Sequence, residues 1–206
     1  VYKRQVNGNV TGNGKKGNGK LSSEKRIISN FDAIKVSGSV DVIYQKSSIA
    51  ELSVEADSNL FDNIETIVKG QTLYVNSKGG FSTNNKITIK CSSPSIEHVK
   101  ISGSGDVVLQ DIEEPELILQ ISGSGDIEVD GVCDDLTASV SGSGDIDAEE
   151  LIAQHVVVNV AGSGDAVVTA KQSVRASVSG SGDIKVKGKP LQKQISERGS
   201  GSVKIK

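Results

Sequence analysis

Three acidic pairs, Glu113-Glu114, Asp134-Asp135 and Glu149-Glu150, are the first residues in this sequence that could do chemistry. Paired carboxylates serve as general acid and base in glycoside hydrolysis, or as oxygen ligands for a hard cation such as calcium. A second set is a series of single aspartates, Asp106, Asp126, Asp145, Asp165 and Asp183, each closing a short Ser/Gly motif. Unit charges stacked about 5 Å apart repel by about 1 kcal/mol in bulk water, and a bound cation relieves that repulsion. The plainer reading is that each Asp accepts hydrogen bonds from its own turn and stays hydrated. The plainer reading of the pairs, too, is that they are solvated corners. They begin ten, eleven and seven residues after Gly103, Gly123 and Gly142, a misalignment that suits loose calcium binding and not a built cage. The spacing also differs from the calcium-binding nonapeptide, where one residue separates Gly from Asp.

Catalysis finds little support. From Ile101 to Ala170 there are fifteen Asp or Glu and no Lys or Arg, whereas a polysaccharide lyase needs a base near its acids. His98 and His155 are isolated, and no Ser-His-Asp set is suggested by spacing or order. Cys91 and Cys133 fall two repeats apart, about 10 Å along a strand stack, beyond the roughly 7 Å a disulfide spans, so two unlinked thiols are expected. The net charge of −3 makes no case for nucleic acid, although the acidic middle lies between two basic ends. No apolar run approaches the roughly 18 residues of a membrane span, and no signal peptide is visible. The expectation is a protein that is not an enzyme and holds no cofactor, with weak calcium at those six carboxylates as the one cation reading.

The elements that carry these residues are set by an internal repeat. Ser102-Gly103-Ser104-Gly105-Asp106 recurs at 122–126, 141–145 and 179–183, with Ala161 opening the copy at 161–165. A closing copy, Arg198-Gly199-Ser200-Gly201-Ser202, lacks the Asp. Successive first glycines are 20, 19, 20, 18 and 19 residues apart. Around each motif apolar residues stand at every second position, as in Leu117, Leu119, Ile121, Gly123, Gly125, Ile127 and Val129. A period of two is strand periodicity. It points the glycines inward, where a bend leaves no room for a side chain, and points Ser122, Ser124 and Asp126 outward. The frame runs through the motif and breaks only around segments such as Asp130 to Asp135, so one rung is predicted as two strands and two bends in about 19 residues. Such a rung is too short for a helical crossover. The fold class is therefore all-β, a right-handed parallel β-solenoid over residues 101–206.

Residues 21–100 read as an irregular β-rich N-terminal part of the same domain. Ala33 to Val42 is a degenerate motif, with Val40 where the second Gly falls. Glu51 to Ala56 and Thr72 to Asn76 alternate as strands, Lys69-Gly70-Gln71 reads as a turn, and Asp57 to Ile64 as a capped helical turn. Residues 1–20 read as a disordered leader. Its first five residues, Val1-Tyr2-Lys3-Arg4-Gln5, resemble the translated end of a sequencing adaptor as much as a natural start. Three Phe, three Tyr and no Trp suit a thin stack with an aliphatic core.

Phe31 to Gly38, Leu52 to Asp57, the serial Ser-Gly-Ser-Gly-Asp motifs and the closing Gly199 to Val203 fall in the order seen in a known family. On them, residues 24–206 resemble the head GIN domain family of auto-transporter adhesins, common in Bacteroidetes. The resemblance implies a β-helix shaped like pectin lyases, an exported location in the periplasm, outer membrane or cell surface, and a role in adhesion without known catalytic residues. The expected function is a non-enzymatic, exported, adhesin-like solenoid that presents repeated Ser/Asp faces to an unknown surface ligand, a glycan or a protein. The alternatives are a carbohydrate-binding or carbohydrate-active β-helix and a ligand-free envelope structural protein.

Overall fold

Alternating apolar residues put one edge of every rung in need of cover, and only the neighbouring rungs can supply it. The computed structural model, which describes residues 14–206, meets that need with a parallel β-solenoid. Its sheet of 15 strands coils through the whole repeat. Val107–Ile121, Ile127–Val140, Ile146–Val160 and Ala166–Val178 form the middle rungs. Each stacks in parallel on the next, with like residues in register: Leu117 on Leu136, Leu136 on Val156, Val156 on Val174. The inward columns, such as Ile121, Val140, Val160 and Val178, are buried and form one continuous aliphatic core.

The rung differs from the predicted two strands and two bends. Only the Ser/Gly motif interrupts the strand, and at the other corner the chain stays paired and turns through β-bulges between Leu109 and Ile112 and between Glu128 and Gly131. A bulge adds residues to one rung without ending the ladder, so the corner bends and hydrogen bonding continues. Asp111 and Gly131 carry the left-handed backbone there, at φ 56° and 121°. Buried Ile112, Cys133 and Ala153 continue the core past this corner.

The motif glycines are indispensable for a reason other than crowding at a concave bend. A β-carbon built on Gly125 stands 2.1 Å from the Gly105 carbonyl oxygen of the rung before, and one on Gly144 stands 2.0 Å from that of Gly125. The side-chain direction here runs along the stack and not toward the core. The glycines let successive turns close to hydrogen-bonding distance, with Ser124 N–H donating to Gly103 O at 2.9 Å.

The two ends differ. At the N-terminal end Ile64–Lys69 and Thr72–Ser77 form an antiparallel hairpin about the expected turn, and its second strand pairs with Ala33–Val36. Leu21–Arg26 pairs antiparallel with Glu51–Asp57, which pairs antiparallel with Thr88–Ser93. Residues 1–13 of the expected leader lie outside the described residues. At 14–20 the disordered reading does not hold, because Lys15–Lys16 pairs with Phe81–Ser82 and Asn18 N–H donates to Asn59 Oδ1 at 3.0 Å. The helical turn is a 3₁₀ turn at Phe61–Asn63 whose N-cap is Leu60, which has no side-chain acceptor, while the Asp57 carboxylate is engaged elsewhere. At the C-terminal end the last rung, Gln192–Glu197 and Val203–Ile205, stacks on one side only.

Candidate binding surfaces

The outward face of the motif carries the exposed serines Ser104, Ser124, Ser143, Ser163 and Ser181 beside the aspartate series. The aspartates do not turn back on their own loops. Asp126 N–H donates to Asp106 Oδ1 at 3.0 Å, Asp145 N–H to Asp126 Oδ1 at 2.8 Å, and Asp165 N–H to Asp145 Oδ1 at 2.7 Å. Asp183 N–H donates to Asp165 Oδ1 at 2.7 Å. The ladder starts at Asp41, in the degenerate motif, which accepts from Asp106 N–H at 3.1 Å. It ends where Ser202 gives both its N–H (2.7 Å) and its hydroxyl (2.9 Å) to Asp183 Oδ1. The expectation of local turn bonds is thus corrected. Parallel stacking sets each amide over the carboxylate of the rung before, so the Asp series ties rungs together. Those Ser202 donors, with Lys204 nearby, hold the Asp183 carboxyl below the usual carboxylate range. Lys86 (3.4 Å) and Lys204 (3.7 Å) approach the second oxygens of Asp41 and Asp183 at the two ends of the ladder. Asp106, Asp126, Asp145 and Asp165 have no ion pair among the described residues.

Of the three acidic pairs, Glu113, Glu114 and Asp134 line one shallow pocket, and Glu149-Glu150 stands apart from it. Glu113 and Glu114 stand opposite Val132 and Cys133, while Asp135 stands between Glu116 and His155. Glu149 and Glu150 fall in the bulge between Ala148 and Ile152. Two of the six are also neutralised by lysines that sequence distance hides. Glu114, with only 6% of its side chain exposed, pairs with Lys46 at 2.9 Å and accepts from Ile96 N–H at 3.2 Å. Lys46 donates as well to the Glu113 carbonyl. Glu149 pairs with Lys187 and, at 3.7 Å, with Lys185. The basic ends of the chain therefore fold onto the first and last rungs of the acidic band. Among the described residues no three His, Cys, Asp or Glu side chains converge on a metal-sized site.

Cys91 and Cys133 are free and buried, and burial pushes both thiols up to about 12. His155 is exposed, its Nδ1 2.8 Å from Ser173 Oγ, and His98 Nε2 lies 3.1 Å from Gln120 Oε1. Sequence reasoning missed Asp57. It is buried, accepting from Thr83 Oγ1 (2.7 Å) and Asn85 Nδ2 (2.6 Å), and these bonds hold its carboxyl below the usual range despite burial. The site latches the strand Glu51–Asp57 to the 83–85 loop.

Sequence reasoning also missed a groove of about 860 Å³ on the outer side of the N-terminal sheet. Its floor is a row of laterally paired residues, Lys25, Ser53, Lys90 and Ile43. A second row runs Glu51, Ser92, Gln45 and Gln110. Ile27 and Ile28 stand at its edge, Ile27 fully exposed. No local pattern announces the groove, because it arises from antiparallel pairing between Leu21–Arg26 and a strand some thirty residues on.

Residues 30–190 match the family described as "Putative auto-transporter adhesin, head GIN domain". A solved putative adhesin from Bacteroides fragilis is 25% identical with a TM-score of 0.74, over 94% of this chain and 100% of that one. A putative adhesin from Parabacteroides distasonis is 26% identical with a TM-score of 0.60, over 93% and 99%. A protein from the same organism described as a putative lipid binding protein is 28% identical with a TM-score of 0.57, over 93% and 98%. No curated protein matches the chain.

Proposed function

The chain belongs to the head GIN domain family of auto-transporter adhesins, and from that premise we propose that it is an exported, non-enzymatic binding protein that meets its partner through the repeated Ser/Asp face. The observation that carries this reading is the row of exposed serine hydroxyls at rung spacing, flanked by Asp106, Asp126, Asp145 and Asp165, which have no ion pair among the described residues. Each hydroxyl and each second carboxylate oxygen offers one weak polar contact, and a partner with its own repeat gains by engaging several at once. The partner is a surface glycan or protein in the periplasm, at the outer membrane or on the cell surface. Among the described residues no helix is long and apolar enough to cross a membrane. A carbohydrate-active protein has less support, since residues 101–206 contain no aromatic residue on which a sugar ring stacks.

The test is binding to glycan and matrix-protein arrays by the wild type and by a Ser104→Ala/Ser124→Ala/Ser143→Ala/Ser163→Ala variant. These side chains are exposed, so the melting temperature should hold while array binding falls. Binding that survives in the variant assigns the partner to another surface, and turnover of any polysaccharide on the array overturns the non-enzymatic reading.

A further inference from the structure

We infer that the groove on the N-terminal sheet binds an anionic amphiphile, a single acyl chain ending in a carboxylate. The inference rests on the chain being a binding protein but not on the Ser/Asp face, with which the groove shares no residue.

Three observations carry it. The first is charge. The lining holds Lys25, Arg26, Lys46 and Lys90 against one acid, Glu51. The carboxylates that pair with three of these cations, Glu24, Glu114 and Glu55, stand outside the lining. Arg26 and Lys46 are committed, Arg26 to Glu24 and to the Phe61 and Ile64 carbonyls, and Lys46 to Glu114. Lys25 has no ion pair among the described residues. Lys90 reaches Glu55 only loosely, at 3.6 Å, with both side chains well exposed. Lys25 is thus unpaired and Lys90 loosely held, with Ser53 between them on one floor, so both can turn toward a carboxylate.

The second observation is apolar surface next to those cations. Ile43 continues the floor beside Lys90, and Ile28 packs partly on the core. Ile27 is fully exposed at the edge, directly after the strand Leu21–Arg26. An isoleucine left in water beside a half-apolar concave floor is the feature an acyl chain would cover. The third is size. About 860 Å³ lies within the range of small-ligand sites and exceeds what a twelve-carbon chain occupies.

Laurate below its micellar concentration is the probe, measured by titration calorimetry against acetate (head without tail) and dodecyl maltoside (the same tail, no charge). Laurate should bind one to one, and the other two far more weakly. Lys25→Gln/Lys90→Gln should weaken laurate by about tenfold, as loss of two partly exposed ion pairs implies. Ile27→Ser should weaken it by roughly fivefold through lost apolar cover. All three residues are solvent-exposed, so unfolding is not expected to confuse the result, and circular dichroism checks it. No heat with laurate, acetate binding as tightly, maltoside binding as tightly, or unchanged affinity in both variants would each overturn the inference. Because the serine variant leaves the groove intact, failure here and failure of the Ser/Asp face are separately visible.

Discussion

Replacing Gly125 by alanine tests the stacking argument with the smallest side chain available. The added β-carbon would stand 2.1 Å from Gly105 O, 2.9 Å from Gly105 C and 3.1 Å from Ser104 C. All three are backbone atoms, so no rotamer change relieves the clash, and the rungs must part. Parting them weakens three inter-rung bonds at this turn: Ser124 N–H to Gly103 O (2.9 Å), Gly125 N–H to Gly103 O (3.3 Å) and Asp126 N–H to Asp106 Oδ1 (3.0 Å). At about 1 kcal/mol each these account for about 3 kcal/mol, and overpacking strain adds about 1–3 kcal/mol. The expected loss is about 4–6 kcal/mol, a fall of roughly 10 °C or more in Tm for a chain of this size. Ser124→Ala, one residue away and exposed, should cost under about 1 kcal/mol. Urea unfolding followed by circular dichroism gives both values, with amide exchange at rungs 101–145 showing whether the damage is local. A Gly125→Ala variant within about 0.5 kcal/mol of Ser124→Ala would refute the claim that the β-carbon, and not merely bulk at a bend, is excluded.

Val158 is fully buried between Ala138 and Ala176, so Val158→Asp should prevent folding, while Asn159→Asp on the outer face should express and melt like the wild type. Lys193→Val/Glu197→Val should make the last rung a stackable surface and produce concentration-dependent self-association on light scattering, where the wild type shows none. Asp57 and Asp183 have folded-state values below their unfolded ones, so their stabilisation is present above about pH 4 and lost as pH falls through the depressed values. The melting temperature should therefore fall from pH 5 to pH 3, and less steeply in Asp57→Asn/Asp183→Asn. Millimolar calcium should raise the melting temperature no more than sodium at matched ionic strength, because the acidic pairs are offset and partly lysine-bound; a calcium-specific rise abolished in Asp134→Asn/Asp135→Asn would restore a site there.

The solenoid was readable in the sequence because its register is written in every repeat: Val158, Val160 and Gly162 keep one parity, and a slip by one residue would turn the whole core outward. The bulges at the second corner were not readable. Their residues differ from rung to rung, and whether Asp130-Gly131 ends a strand or bends it depends on pairing with Asp111-Ile112 of the rung before. The Asp ladder was half legible. The repeat placed the residues in a column, but the partner of each carboxylate from Asp106 to Asp183 lies one rung, 18–20 residues, away, and that of Asp41 lies 65 residues away. The lysines on Glu114 and Glu149 were hidden for the same reason, as was the groove.

The rung built from Gln192–Glu197 and Val203–Ile205 carries charge where earlier rungs carry core. At positions where earlier rungs bury Val174 and Val178, it carries Lys193 and Glu197 in the same register. Glu197 lies back across the end and accepts from Val203 N–H at 2.6 Å, which occupies one donor of the closing turn. In the same rung Ser202 takes the place of the ladder aspartate, so no carboxylate reaches beyond it for a further amide. An inward charge costs little at an open end, where water reaches it, and would cost several kcal/mol beneath another rung. A rung stacked on this one would therefore have to bury Lys193 and Glu197. Residues bound to the repeat, glycines and aspartates alike, are fixed by contact with the rung before and have little freedom to distinguish one partner from another. On the function proposed above, selectivity would rest on side chains outside that constraint, the outward serines and the lysine and isoleucine groove near the N-terminus.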